Sequence, residues 1–344
     1  MATIAHFFEE HTFGAWATLV SVLVHLGIQI TLAVKLILQR RSTGESLAWL
    51  MILFVFPIVG PLLFFVVGES RLGRRRERRF VQLQPPFKRW LAQIPERSQV
   101  DWSKIDEEFE PVSQMCERTI GVPALGRNRL ELLPDWQHVF ARLVADIDAA
   151  RETCHLEFYI WNNGGEVDRV VEALLRAVAR GVTCRVLVDA LGSNRFLRSE
   201  VAAKLKAGGV QVHAALPGGL WRLPFVRIDL RLHRKIVVID GAIGYTGSLN
   251  LVDPRYFKRN AGVGEWVDAM VRVEGPAVEA LAITFLADWF VETEDTLEHL
   301  QETGGARSQP GRGDAAVQVM PSGPDLPPQA VEHELTTANY SARR

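Results

Sequence analysis

HRKIVVIDGAIGYTGSLN, residues 233 to 250, is the stretch that decides the fold. His233 and Lys235 stand two positions apart on a segment with the apolar character of a buried strand, so both side chains point to the same face. Asp240, followed directly by glycine, then turns the chain. The stretch therefore predicts a hairpin-like arrangement in which polar groups from two strands meet.

The return stretch brings three further residues back beside the first pair: Gly247, Ser248 and Asn250. The group then holds an imidazole, an ammonium, a hydroxyl and an amide, which together suit phosphoryl transfer without a metal. The ammonium and the amide can bind non-bridging phosphate oxygens, and a neutral imidazole can attack phosphorus. The alternative is an ordinary polar strand end, which is the usual meaning of an isolated H-x-K.

The sequence around this stretch alternates strands and helices from about residue 116, which predicts an α/β domain with helices covering the sheet. Strands are expected near five segments: His155 to Ile160, Cys184 to Asp189, Val210 to Ala214, Lys235 to Ile239 and Ala269 to Val273. Apolar residues at helical spacing predict helices between them.

The N-terminal seventy residues contain two apolar runs, residues 13–34 and 47–67, each long enough to cross a bilayer as a helix. A cleaved signal peptide is the alternative for the first run, but its leader carries Glu9 and Glu10 rather than basic residues. His25 and Gln29 in the first run are expected to hydrogen-bond the partner helix, with a functional polar site as the alternative. The prediction is a two-helix transmembrane hairpin over residues 1–67.

Basic residues set the expected orientation. Three cations lie in or near the loop between the runs, and six arginines follow the second run: Arg71, Arg74, Arg75, Arg76, Arg78 and Arg79. The positive-inside rule then places the large C-terminal part in the cytoplasm. Residues 68–115 are interpreted as a basic interfacial connector that holds anionic headgroups, with apolar contact from Phe80, Phe87, Trp90 and Leu91. Nucleic-acid binding and a plain solvated stretch are the alternatives for the arginine run.

Overall charge and cysteine usage exclude several classes of protein. The formal net charge of -1 argues against a dedicated nucleic-acid binder. The three cysteines, Cys116, Cys154 and Cys184, lack the spacing of a zinc site and are interpreted as reduced core thiols. We expect no metal and no cofactor.

Composition also suggests domain limits. Residues 116–300 form the expected catalytic domain, and the Gly-rich, polar residues 301–316 form a linker. Residues 317–344, which begin with a short strand and a turn, are too few to bury a core of their own.

The spacing H-x-K, four residues, D, six residues, G-S-x-N resembles the motif of the phospholipase D superfamily. This resemblance implies an α-β-α sandwich half-domain and a motif that is used twice. One histidine forms a phosphohistidine, and the other protonates the leaving alcohol and activates the accepting one. His233 would be one of the two, nucleophile or acid/base.

The resemblance also implies roles for the other motif residues. Lys235 and Asn250 become phosphate ligands, and Ser248 becomes a supporting hydrogen-bond donor beside Gly247. Asp240, counted with the catalytic motif, is expected to brace it rather than enter the chemistry. Asp268 stands where the family places a carboxylate that orients a histidine, with a surface or strand-end aspartate as the alternative.

The order of segments resembles bacterial cardiolipin synthases, from the apolar LAWLMILFVFPIVGPLLFFVVGES through HLEFYIWNNGG to the motif. That family condenses two phosphatidylglycerol molecules, releases glycerol and needs no metal. The resemblance therefore also implies that the protein is located in the bacterial inner membrane. Leu232 departs from the family, where a polar residue is usual. Among nine histidines only His233 is followed two residues later by Lys.

A single H-x-K leaves two interpretations. Either the chain is truncated where a second phospholipase D-like domain begins, at 317–344, or it is a half-enzyme whose sites pair across a homodimer axis. The chain alone is expected to turn over weakly or not at all. Two other functions stay open: a membrane-bound phosphodiesterase or nuclease, in which water accepts the phosphoryl group, and an inactive anchored remnant.

Overall fold

The computed structural model describes residues 2–38, 41, 43–68, 74–93, 100–217, 231–257, 262, 264–323 and 330–342. The chain divides into two compact units. The first holds residues 1–71 with 219–227, and the second holds residues 72–218 with 228–344.

The first unit is helical. Its described elements are α1 (Ala2–Leu38), α2 (Thr43–Val55), α3 (Val59–Leu63) and a π-helical turn (Phe64–Gly68). Within the described residues, the one helix long and apolar enough to cross a membrane is Thr18–Leu38, with 21 residues. The second predicted span is not a single helix, because the chain leaves helical geometry around Pro57, whose nitrogen cannot donate a hydrogen bond.

α1 and α2 pack against each other. The Gln29 side-chain amide donates a hydrogen bond of 2.9 Å to the carbonyl oxygen of Leu53, which is the predicted contact with the partner helix. Gly60 lies so close to α2 that a Cβ atom there would stand 2.4 Å from the carbonyl oxygen of Ile52. A glycine is therefore required for this approach.

The second unit carries the sheet. Its helices are α4 (Arg74–Gln93), α5 (Phe109–Ile120), α6 (Trp136–Ala149), α7 (Glu166–Ala179), α8 (Asn194–Leu197), α9 (Glu200–Ala207), α10 (Ala277–Glu292), α11 (Leu297–Thr303) and α12 (Ala330–Ser341). Its strands are β1 (Leu125–Leu133), β2 (Thr153–Phe158), β3 (Thr183–Asp189), β4 (Gln211–Ala215), β5 (Ile236–Ile239), β6 (Ile243–Gly247), β7 (Met270–Glu274) and β8 (Ala315–Val317).

The strands form one mixed sheet in the order β4-β3-β2-β5-β6-β7-β1-β8. β2, β3 and β4 run parallel, while β5, β6 and β7 are joined as an antiparallel meander that pairs with β2. This confirms the predicted α/β class.

Alternate residues of β5 enter two different cores. Val237 and Ile239 pack into the core beneath α6 and α7, whereas Ile236 and Val238 pack into the core beneath α10. A strand buried on both faces needs helices on both sides, which gives the layered α-β-α arrangement.

The sequence did not predict β1. Its register against β8 shifts between Leu125 and Asn128, and Arg127 between them has a φ of 60°. A bulge of this kind turns side chains to the other face, so the period-2 pattern is interrupted.

Part of the expected interfacial connector is the helix α4, which packs on α10; its binding of headgroups stays a prediction. Arg76 is buried and ion-paired with Glu292, and Arg79 donates to the carbonyl oxygens of Phe290 and Asp295, both at 2.6 Å. Phe80, Phe87, Trp90 and Leu91 likewise pack into the core beneath α10. These side chains therefore contact other residues of the second unit.

The C-terminal segment adds to the same unit. Of the expected linker 301–316, the first residues end α11 and the last two begin β8, which pairs with β1 at the edge of the sheet. The following α12 packs on α5. The cysteines are free and buried, as predicted.

Candidate active site

The backbone immediately before His233 is held in place by Asp189, the last residue of β3. The buried Asp189 carboxylate accepts hydrogen bonds from the backbone N–H groups of Leu191, Gly192 and Leu232. Leu232 itself is 1% exposed, in the core beneath α10. The apolar residue that departs from the family pattern is therefore a core residue here.

His233 and Lys235 lie together at the edge of the sheet where β2 and β3 end. The Lys235 ammonium lies 3.2 Å from Nδ1 and 3.4 Å from Nε2 of His233, and donates to the His233 carbonyl oxygen at 2.6 Å. Lys235 is 5% exposed, whereas His233 is exposed. The pair presents an accessible imidazole above a buried cation.

The same packing lowers both pKa values. Burial lowers the pKa of Lys235 to about 8, and the Asp268 carboxylate opposes this shift. Desolvation by its neighbours, followed by the Lys235 ammonium, lowers the pKa of His233, and Asp189 opposes this shift. Near pH 7 the imidazole is therefore neutral, as a nucleophile requires, while most of the lysine is charged.

Tyr159, directly after β2, packs beside this pair. Its ring centroid lies 4.9 Å from that of His233 and 5.9 Å from the Lys235 ammonium. On the other side, a Cβ atom at Gly192 would meet the carbonyl oxygen of Tyr159 at 2.4 Å and its ring at 2.9 Å. Tyr159 is thus held between a glycine and the histidine.

The return strand delivers the remaining motif residues. Gly247 passes close to β7, where a Cβ atom would stand 2.3 Å from the carbonyl oxygen of Ala269. The Ser248 hydroxyl accepts the Ala269 N–H at 3.1 Å, so it joins β6 to β7 in this structure. Its predicted position within the motif is observed; its action on a phosphate remains a prediction.

Asn250 is buried, and its side-chain oxygen accepts the Ile160 N–H at 3.0 Å. Because this oxygen is engaged, the NH₂ group is the end that can face a ligand. A donor of this kind is compatible with a phosphate oxygen, and the role of Asn250 as a phosphate ligand stays a prediction.

The two aspartates of the predicted set differ in position: Asp240 lies away from His233 and Lys235, whereas Asp268 lies near Lys235. Asp240 stands at the opposite end of β5, where its carboxylate accepts the N–H groups of Arg151, Glu152 and Thr153. It braces the start of β2 and does not enter the site, so its inclusion among the catalytic residues is corrected. Asp268 acts electrostatically on Lys235, and within the described residues it makes no hydrogen bond to His233.

Sequence reasoning did not single out Asp189 or Tyr159. Both stand at the carboxyl ends of neighbouring parallel strands, where side chains converge at one edge of a sheet. Their position at the ends of predicted strands is the feature of the sequence that could have identified them as site residues.

Two family models match the chain. Residues 143–289 match the cardiolipin synthase, PLD-like domain, and residues 27–69 match the phospholipase D-nuclease N-terminal model. The first match contains the complete motif and most of the sheet.

Curated relatives agree with the family models. The chain is 38% identical over 333 residues to Cardiolipin synthase A of Yersinia pseudotuberculosis, and equally to that of Yersinia pestis. The alignment covers 96% of this chain and 66% of either relative, so the chain spans just under two thirds of their length. Within its second unit, the chain is therefore similar to the cardiolipin synthase, PLD-like domain over residues 143–289.

Solved structures are more distant. Nuc from Salmonella typhimurium, a phospholipase D family member, has 16% sequence identity, a TM-score of 0.37, and coverage of 48% of this chain and 97% of its own. Nothing further is inferred from this similarity.

Proposed function

We propose that this chain supplies one half-site for phosphatidyl transfer between two phosphatidylglycerol molecules, which yields cardiolipin and glycerol. The observation that carries the proposal is the neutral, exposed His233 held against the buried Lys235 ammonium, within a stretch that matches the family model. The similarity to Cardiolipin synthase A over 96% of the chain favours a lipid substrate.

In the first step, a ring nitrogen of His233 attacks the phosphorus of one phosphatidylglycerol. The N–P bond forms, the P–O bond to the glycerol headgroup breaks, and the departing oxygen takes a proton from a general acid. Lys235 and the Asn250 NH₂ group bind the non-bridging oxygens as negative charge builds on them. The backbone held by Asp189 fixes the position from which the imidazole attacks.

In the second step, a hydroxyl of the second phosphatidylglycerol attacks the same phosphorus. The N–P bond breaks, and the hydroxyl proton passes to the group that acted as acid in the first step. The resemblance to the phospholipase D superfamily implies that this general acid and base is a second histidine. This sequence has a single H-x-K, so we propose that the second half-motif comes from another segment or from a second copy.

The membrane supplies both substrates, and the first unit fits that setting. We propose that Thr18–Leu38 crosses the bacterial inner membrane and that the broken apolar segment 47–67 enters the bilayer beside it. α2 packs on α1 through the buried Gln29 contact, which favours a shared apolar environment. The positive-inside rule then favours a cytoplasmic site.

The test uses phosphatidylglycerol liposomes and the purified chain, without added metal and with a chelator. Cardiolipin and glycerol are measured for the chain alone and for the chain mixed with a separately produced C-terminal half of Cardiolipin synthase A. His233→Ala is the test variant. His138→Ala removes an exposed histidine at the start of α6 and is the matched control.

Product from the chain alone that disappears in His233→Ala would show that half-sites pair between copies. Product that needs the added half would show that the second motif lies on a further segment. Phosphatidic acid in place of cardiolipin would favour the phosphodiesterase alternative. If His233→Ala matches the wild type in every mixture, the proposal fails.

A further inference from the structure

A cavity of about 610 Å³ lies between α4, α10 and the C-terminal end of α5. Its apolar wall is formed by Phe80, Leu83, Phe87, Leu91, Ile120 and Val291. This volume lies within the range of roughly 300–1,000 Å³ that is usual for small-molecule sites, which are mostly apolar with few polar groups. The cavity therefore has the size and character of a ligand site.

The cavity and the pair His233–Lys235 lie on opposite sides of the segment that leads into β5. Arg234 alternates with His233 and Lys235, so its side chain turns away from them, and it lines the cavity together with Asp288 of α10. The Arg234 guanidinium is ion-paired with Asp288. A ligand in the cavity would meet this buried pair and would not enter the catalytic site.

The charged side chains that line the cavity include more cations than anions. Apart from the Arg234–Asp288 pair, the charged lining residues are Lys88, Arg118 and Glu117. Lys88 and Arg118 are exposed, and neither has an ion pair within the described part of the chain. A long apolar wall with two cations beside it matches an amphiphile that has an acyl chain and a negatively charged headgroup.

We propose that this cavity binds one acyl chain of an anionic phospholipid, whose headgroup phosphate is held by Lys88 and Arg118. The site is separate from the half-site built on His233, and it does not depend on the proposed transfer reaction. Because α4 forms one wall, a bound lipid would also hold α4 against α10.

The test uses phosphatidylglycerol with a photoreactive group on one acyl chain, as a trace in phosphatidylcholine vesicles that contain the full chain. Labelled peptides are identified by mass spectrometry. We expect labelling within α4 and α10 that unlabelled phosphatidylglycerol competes away. Labelling should be unchanged in His233→Ala, so loss of the transfer reaction would not affect this result.

Two kinds of variant test the cavity itself. Ala287→Trp places an indole in the cavity and should abolish the labelling, whereas Ala179→Trp, on the exposed end of α7, should not. Lys88→Glu with Arg118→Glu should weaken labelling by the anionic probe roughly tenfold, and should spare a diacylglycerol probe with the same chain. Circular dichroism checks that each variant is folded.

Three results would overturn the proposal. Labelling that survives Ala287→Trp in a folded protein would place the probe elsewhere. Labelling that excess unlabelled lipid does not reduce would mean non-specific partition. Complete protection of α4 and α10 by the added C-terminal half of Cardiolipin synthase A would mean that protein, not lipid, covers this cavity.

Discussion

Lys235 shows how a single buried charge can set the pH range of the half-site. Its 5% exposure weakens solvation of the ammonium, so the pKa falls to about 8, while an arginine would stay charged far beyond this pH. The proposed reaction needs the Lys235 ammonium charged and the His233 imidazole neutral. The pKa of His233 is lowered as well.

The pH dependence of kcat/KM follows from these two shifts. In the complemented enzyme we expect activity to fall below the lowered pKa of His233, as the imidazole gains a proton, and to fall again above about pH 8, as Lys235 loses one. Lys235→Arg should move the alkaline limb upward while lowering the maximum, because a guanidinium does not reproduce the ammonium geometry.

The measurement is kcat/KM for cardiolipin formation from pH 5 to 10, with Lys204→Arg as control. Lys204 is exposed and pairs with Glu172, so its replacement should leave both limbs in place. An alkaline limb that stays near pH 8 in Lys235→Arg would assign that limb to another group.

Sequence spacing predicted which polar groups meet but not how each carboxylate is used. The period of two placed His233 and Lys235 on one face, and β6, which pairs with β5, leads the chain back to Asn250. Asp268 lies in a segment without regular period, so only tertiary packing could place it against Lys235. Asp189 is fixed by backbone donors from the loop that follows it and from Leu232 in the segment before β5, which no local pattern encodes.

The helix α4 carries two arginines, Arg76 and Arg79, that are bound within the protein, beside others that are exposed. Arg76 and Glu292 are 7% and 6% exposed, whereas the neighbouring pair, Arg75 and Glu294, is 63% and 88% exposed. Removing one member of a buried pair leaves an uncompensated charge, while an exposed pair contributes little. Arg75 and Arg76, neighbours on α4, therefore allow the contribution of an exposed ion pair to stability to be compared with that of a buried one.

Arg76→Met should lower the free energy of unfolding of the second unit by about 3–5 kcal/mol, because Glu292 would remain buried without its cation. Arg75→Met should change it by less than about 1 kcal/mol. Urea denaturation followed by tryptophan fluorescence in detergent measures both. Equal effects of the two substitutions would mean that the Arg76–Glu292 pair does not hold α4 in place.

The elements with an unbroken apolar pattern were predicted to within two residues, as β2, β3 and β5 show. β1 was missed because its bulge interrupts the alternation at Arg127. α4 was placed at the membrane surface because composition alone does not reveal that the last turn of α10 offers Glu292 and free carbonyl oxygens. In both cases the deciding interaction is distant in sequence.

At the scale of the whole molecule, the chain combines a unit suited to lipid with a unit built on a polar motif. Mean hydropathy over the candidate span Thr18–Leu38 is 1.9, and little of that window is buried within the protein. Exposed leucines on such a helix are stable only in an apolar surrounding. The first unit therefore has the composition of a membrane anchor.

Anchoring can be tested at the centre of α1. Leu23 and Leu26 are 59% and 44% exposed, and an arginine at the middle of a span costs about 2.5–3.5 kcal/mol on insertion scales, so Leu23→Arg with Leu26→Arg should strongly reduce insertion. The measurement is the fraction of chain that resists alkaline extraction from membranes. Leu132→Arg, at a 65% exposed leucine of β1, is the control and should leave that fraction unchanged. Full retention of the double variant would mean that α1 is not the anchor and that another segment holds the chain at the bilayer.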